Sequence, residues 1–186
     1  MRVYNTDMKI IDLSQSLSDA MPVYPGDPEV SIKRVLTLAK DGWNMNVISL
    51  PAHIATHVNV PIHGVGNGKT LDDYSVDAFC GRSVVFRSLQ DIRSGVGVLF
   101  ENAALPVDVV KKIIEIKPKF IGVQGYFESE SELATEKRTL KEGIVSFEGL
   151  IHIEKLPKDK EFTFYGLPLM IKGGDGSPIR AIAVID

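Results

Sequence analysis

Apolar and polar positions alternate with a period of about two along much of this chain, the pattern of strands with one face buried. The first such segment is Lys9-Ile-Ile-Asp-Leu13, and the polar, aperiodic residues 1–7 before it read as an extension to a single domain over 8–186. Residues 30–38 and 44–50 are rich in Val, Ile and Leu, with Lys40-Asp-Gly42 between them, which predicts a hairpin. Arg82-Ser-Val-Val-Phe-Arg87 and Gly95-Val-Gly-Val-Leu-Phe100 read as buried strands. The period then changes. Val109, Val110, Ile113 and Ile114 form one stripe of a helix over 106–116, with Pro106 near its first position.

A short strand over 120–123 follows, and Ser129-Glu-Ser-Glu132 has the spacing of a capping box at the head of a charged helix running to Lys141. Gly143 is placed to end that helix before a strand, Ile144-Val-Ser-Phe147. Residues 162–165, 167–171 and 179–185 read as further strands. Helices and strands interleave, so the expected class is mixed α/β in one domain.

Against this background His53-Ile-Ala-Thr-His57-Val-Asn59-Val-Pro-Ile-His63 stands out, because it holds three of the four histidines of the chain. Imidazole is the commonest metal ligand and acid/base group, so the density points to a site. In an extended chain His53, His57, Asn59 and His63 share one face while Ile54, Val58, Val60 and Ile62 share the other. Extension alone leaves residues four apart about 13 Å from each other, too far for two imidazoles to share an ion. The chain is therefore expected to curl, with the apolar set as a buried base and the polar set facing a cavity.

Composition narrows the partners. Lys+Arg total 21 against Asp+Glu 24, a formal charge of -3, which leaves no basic footprint for nucleic acid or an acidic membrane. Cys80 is the single cysteine, so no disulfide forms within the chain. No apolar run reaches the ~20 residues of a membrane span, and the N-terminus lacks the apolar segment of a signal peptide. The expectation is a soluble, cytoplasmic protein acting on a small molecule.

Other residues join the site by position. A strand folding back after Gly143 brings Glu136 and Glu148 to about the same level, since seven helical residues and four or five extended ones span similar lengths. Met21-Pro-Val-Tyr-Pro-Gly-Asp-Pro28 is a rigid loop in which Tyr24 and Asp27 are candidate pocket walls, and Trp43 is a third. Glycines 64, 66 and 68 suit a flexible mouth. Lys172, Asp175 and Arg180 are candidates for an ion pair or for substrate binding.

The histidine cluster resembles the signature H-x-G-T-H-x-D-x-P-x-H of the metal-dependent cyclase family, which includes bacterial arylformamidases, also called kynurenine formamidases. Tyr24-Pro-Gly-Asp27, Gly143-Ile-Val-Ser-Phe-Glu148-Gly-Leu150, and Pro168-Leu followed by Gly174-Asp-Gly-Ser-Pro-Ile-Arg-Ala-Ile-Ala183 match further motifs in order. The resemblance implies a swivelling β/β/α fold, a homodimer, and one or two divalent metals, commonly zinc or manganese. By position it implies His53, His57 and Glu148 as metal ligands and His63 as the catalytic acid/base. The family's glycine is Ala55 here, a strained choice if φ is positive.

Its bridging aspartate is Asn59 and its later histidine ligand is Glu136, two exchanges that together leave the formal ligand charge unchanged. One ion is thus expected on His53 and His57, with a second weak, absent or shifted toward Glu136 and Glu148. The implied activity is hydrolysis of a small amide or formamide. A non-catalytic ligand-binding or regulatory protein of the same fold is the rival, and metal-assisted cyclisation or dehydration a third reading.

Overall fold

Strands follow one another at Lys9–Asp12 (β1), Ser31–Leu36 (β2), Met45–Ser49 (β3), His57–Asn59 (β4), Cys80–Val85 (β5), Gly97–Phe100 (β6), Phe120–Gln124 (β7), Val145–Leu150 (β8), Phe162–Tyr165 (β9), Gly176–Pro178 (β10) and Ile182–Ile185 (β11). Helices occupy Leu38–Asp41 (α1), Val107–Ile116 (α2) and Glu130–Lys141 (α3). This is a computed structural model describing residues 8–185; the expected extension, 1–7, lies outside the described residues.

Nine strands form one sheet in the order β1-β11-β9-β5-β6-β7-β8-β4-β10, and β2 and β3 pair separately. The central β5, β6, β7 and β8 run parallel, and the strands on either side pair antiparallel. Parallel strands buried on both faces need unbroken apolar runs, and β6 supplies one in Gly-Val-Leu-Phe, buried throughout. On one face Phe120, Phe147 and Phe164 pack ring to ring at 4.9–5.3 Å, with Val58 and Leu99 around them. On the other, Val98, Phe100, Ile121 and Val123 meet the Val109 and Ile113 stripe of α2.

The sheet curls. β10 and β11 stand seven places apart in the strand order, yet only residues 179–181 separate them. Seven flat interstrand steps cover about 33 Å, whereas the four peptide units from 178 to 182 reach about 14 Å. The two ends of the sheet therefore come together, and Leu13 seals the seam, its N–H bonded to Ala181 O at 2.9 Å and its carbonyl taking Ile151 N–H at 3.0 Å.

Two expected strands differ. Residues 167–171 form none: Pro168 lacks an N–H, Leu169 N–H donates to Ser177 Oγ and Ile171 N–H to Leu169 O, so the backbone donors are used locally. The run expected over 179–185 starts only at Ile182, because the chain must cross the seam first. The hairpin forms as expected, with the added turn α1 between its strands.

Candidate active site

The histidine segment enters from β3 through a bend at residues 52–56, where the chain curls as its histidine spacing led one to expect. Ala55 sits in that bend at φ +52°, the left-handed region that favours glycine. Its carbonyl abuts Gly149, where an added Cβ would stand 2.2 Å from Ala55 O; Gly149 itself has φ +65°. Thr56 fastens the same point by donating to Gly149 O at 2.6 Å. This clasp turns His53 back on His57, with ring centroids 5.4 Å apart and edge to face. Beyond β4, a 3₁₀ turn at Pro61–His63 places the His63 ring 3.9 Å from that of His53.

Strand register supplies the rest. In the β4–β8 ladder His57 lies opposite Glu148 and Asn59 opposite Ser146, so all four side chains share one face. Val58 and Phe147 between them point into the opposite core. Helix α3 packs on β8 and the 3₁₀ turn, and carries Glu136 to the shared face. Its start is held by the expected capping box at Ser129 and Glu132.

Asn59 sits at the centre. Its Nδ2 donates to Glu136 Oε1 and to Glu148 Oε1, each at 2.5 Å. With both amide hydrogens on carboxylates, Oδ1 faces His53 Nδ1 at 2.7 Å and accepts from it. Glu148 Oε2 accepts from Phe127 N–H at 2.7 Å, and Ser146 Oγ approaches Glu136 Oε1 at 3.5 Å. Glu136 and Glu148 are only 4% and 5% exposed. Burial, then the charge of Glu136, pushes the Glu148 carboxyl up to about 9, against the opposing bond from Phe127.

His57 is buried as deeply. Its Nδ1 lies 3.0 Å from Ala55 O, which only accepts, so this nitrogen carries the hydrogen and Nε2 the lone pair. Desolvation holds the ring down to about 3, with His53 and His63 acting in the same direction and the Ala55 bond opposing. The lone pair faces Glu148 Oε1 at 3.8 Å.

The mouth is wetter. His53 Nε2 lies 2.9 Å from Asp175 Oδ2, and His63 Nδ1 lies 3.6 Å from the same oxygen. Burial raises the Asp175 carboxyl, but the hydrogen bond and charge of His53 outweigh it and leave it below the usual range. His63 is lowered by burial and by His53, with Glu136 and Asp175 opposing. A neutral imidazole has one N–H, so His53 satisfies one of its two oxygen partners, and a proton or a cation at Nε2 is needed for the other.

The donor set at the mouth fits a divalent ion. His53 Nε2, His63 Nδ1 and Asp175 Oδ2 lie within 4.8 Å of one another. Ligand atoms ~2.0–2.1 Å from a tetrahedral zinc are separated by about 3.3 Å, and the two separations from Asp175 bracket that value. Deeper in the cup the two carboxylates are met by the Asn59 amide, and no buried side-chain nitrogen or oxygen among the described residues lacks a hydrogen-bond partner.

The structure thus gathers His53, His57, Asn59, His63, Glu136 and Glu148, all foreseen as site residues. The ion pair weighed among Lys172, Asp175 and Arg180 is not what Asp175 makes, and Arg180 pairs instead with Asp12 at 2.6 Å. Tyr24 and Trp43 are 54% and 68% exposed, and no ring contact or hydrogen bond joins either of them, or Asp27, to the histidines. The aromatic beside the cup is Tyr126, stacked on His57 at 6.2 Å, which the sequence reading passed over. Of the three glycines expected at the mouth, Gly68 packs against the Pro61 backbone, which an added Cβ would meet at 2.4 Å, while nothing lies within 4 Å of one at Gly66.

The curled mixed sheet that carries this cup is a fold shared with known proteins. The family model Cyclase, described as "Putative cyclase", matches residues 11–118, and the chain belongs to that family. A kynurenine formamidase of Salinibacter ruber is 28% identical over 94% of this chain and 97% of its own. An uncharacterized protein of Methanocaldococcus jannaschii is 31% identical over 96% of this chain and 100% of its own. Among solved structures, isatin hydrolase A from Labrenzia aggregata superposes with a TM-score of 0.76 at 19% identity, covering 96% of this chain and 94% of that one. At that identity the likeness establishes the fold alone.

Proposed function

We propose that this protein is a metal-dependent hydrolase of small amides or formamides, arylformamidase-like, with one zinc or manganese ion held at the mouth of the cup. The convergence of His53, His63 and Asp175 above a buried carboxyl pair carries this reading. Relatives named kynurenine formamidase support the substrate class. His53 Nε2, His63 Nδ1 and Asp175 would hold the ion. A divalent ion there supplies Lewis acidity, polarising a substrate carbonyl and making water acidic enough to attack near neutral pH.

The chain's own residues do the positioning. Asn59 Oδ1 fixes His53 through Nδ1 and leaves Nε2 aimed at the mouth, as the partners behind a metal-bound imidazole do. Glu148 holds a proton at neutral pH, and with Glu136 presents less negative charge beneath the histidines than two ionised carboxylates would. Tyr126 offers an aromatic face beside His57 for an aryl substrate. We further propose a homodimer in the cytoplasm.

His63 has a second reading, the acid/base role implied by the family resemblance, because the Asp175 contact at Nδ1 also orients an exposed imidazole to carry a proton at Nε2. One measurement decides. Turnover of an N-formyl aromatic amine is expected to vanish with chelator and return with Zn²⁺ or Mn²⁺, and His63→Ala is expected to bind zinc at least about tenfold more weakly. Full zinc affinity with lost turnover in that variant assigns His63 to proton transfer. Turnover unaffected by chelation rules out the metal-dependent reading.

A further inference from the structure

Two carboxylates buried side by side need a cation, a proton or strong donors to offset their charge. Glu136 and Glu148 converge on one point, with the His57 Nε2 lone pair 3.8 Å from Glu148 Oε1. Two carboxylates and an imidazole of this kind would ordinarily hold a divalent ion. What occupies the point is the Asn59 amide. Its two hydrogens diverge, one to each Oε1, while its oxygen is taken by His53 Nδ1.

We infer that the Asn59 amide stands where an inner cation would sit, clamping Glu136 to Glu148, so that the cup takes a single divalent ion at the mouth, on His53, His63 and Asp175. The inference rests on the metal-dependent reading above and adds a count and a place. An ion entering between Glu136 and Glu148 must displace both amide hydrogens. It must also turn the amide about, which removes the acceptor from His53. A neutral amide brings no charge into the inner pair, whereas an aspartate at this position would add a third carboxylate, with no N–H to give and a strong demand for a cation.

The test counts ions. Protein stripped with chelator is titrated with Zn²⁺ against a competing metallochromic indicator, and bound zinc is measured by plasma mass spectrometry after dialysis. The wild type is expected to hold one ion per chain. Glu148→Gln, which removes an inner carboxylate but no mouth ligand, is expected to keep that ion with affinity within about threefold. Asp175→Asn is expected to weaken it at least about tenfold, and Asn59→Asp to bind two.

Two ions in the wild type, or a loss of the single ion in Glu148→Gln, overturns the inference while leaving metal dependence intact. No ion in the wild type overturns both. Circular dichroism on each variant separates lost binding from lost fold, and the Glu148→Gln and Asp175→Asn pair decides the place of the ion even if Asn59→Asp does not fold.

Discussion

Ala55 occupies a backbone conformation that costs an L-residue roughly 1–2 kcal/mol, and it does so where its carbonyl is pinned against Gly149. Glycine at this position removes the strain but gives back about 0.4–1 kcal/mol through the freer unfolded chain. Ala55→Gly is therefore expected to stabilise the protein by about 0.5–1 kcal/mol, read as a higher urea midpoint at unchanged m-value. A lower midpoint would mean that the Ala55 methyl, packed with Val30 and Ile54, is worth more than the strain. Gly149→Ala should do the opposite, because its Cβ has backbone on one side and the Tyr126 ring on the other. That the position departs from the family's glycine was legible in the sequence; the sign of φ was not, since it follows from a contact with a residue 94 positions away.

At the scale of elements, the β4–β8 ladder places opposite each other two groups that titrate against the fold from opposite sides. Glu148 is raised from 4.5 to about 9, so the folded state keeps a proton the unfolded chain has released, and stability present below pH 4.5 is lost as pH rises toward 9. His57 is lowered from 6.5 to about 3, so stability present above 6.5 is lost as pH falls toward 3. Between 4.5 and 6.5 the two slopes cancel. The metal-free protein should show a stability plateau there, falling by roughly 1 kcal/mol per pH unit on either side. Urea midpoints across pH 3–9 measure this, and Glu148→Gln should flatten the alkaline limb; an unchanged limb would show that another group is responsible.

The ladder also shows what the sequence could reveal. Helix α3, its cap and the level at which Glu136 meets Glu148 were readable, because they follow from helical and extended rise along a short stretch of chain. The role of Asp175 was not. It reaches the histidines only because β10 lies beside β4, a pairing across more than a hundred residues that no local pattern encodes.

At the scale of the whole molecule, the separate β2–β3 hairpin is the part the fold leaves unfinished. Every residue of β3 is exposed, and Val47 and Ile48, on opposite faces of the strand, are 52% and 57% accessible, with Trp43 and Leu38 exposed near the turn. A two-stranded hairpin is marginally stable in water without something to pack on, and apolar surface shared by both faces marks an interaction site. Among the described residues this arm is anchored at its base, through Ile32 and Leu50 on the small cluster that also holds Ile54 and Ala55 beside the cup. A second copy of the chain is the proposed cover, in keeping with the homodimer that the family resemblance implies. Sedimentation velocity at micromolar concentration should then show a dimer, and Val47→Glu should yield a monomer with an unchanged circular dichroism spectrum, since that side chain contributes nothing to its own chain's core. A wild-type monomer would remove the homodimer from the reading, and a dimer untouched by Val47→Glu would move the interface off the arm. Because the arm runs through Leu50 into the bend that carries His53, the monomeric variant should also lose part of its zinc affinity if dimerisation steadies the mouth of the cup.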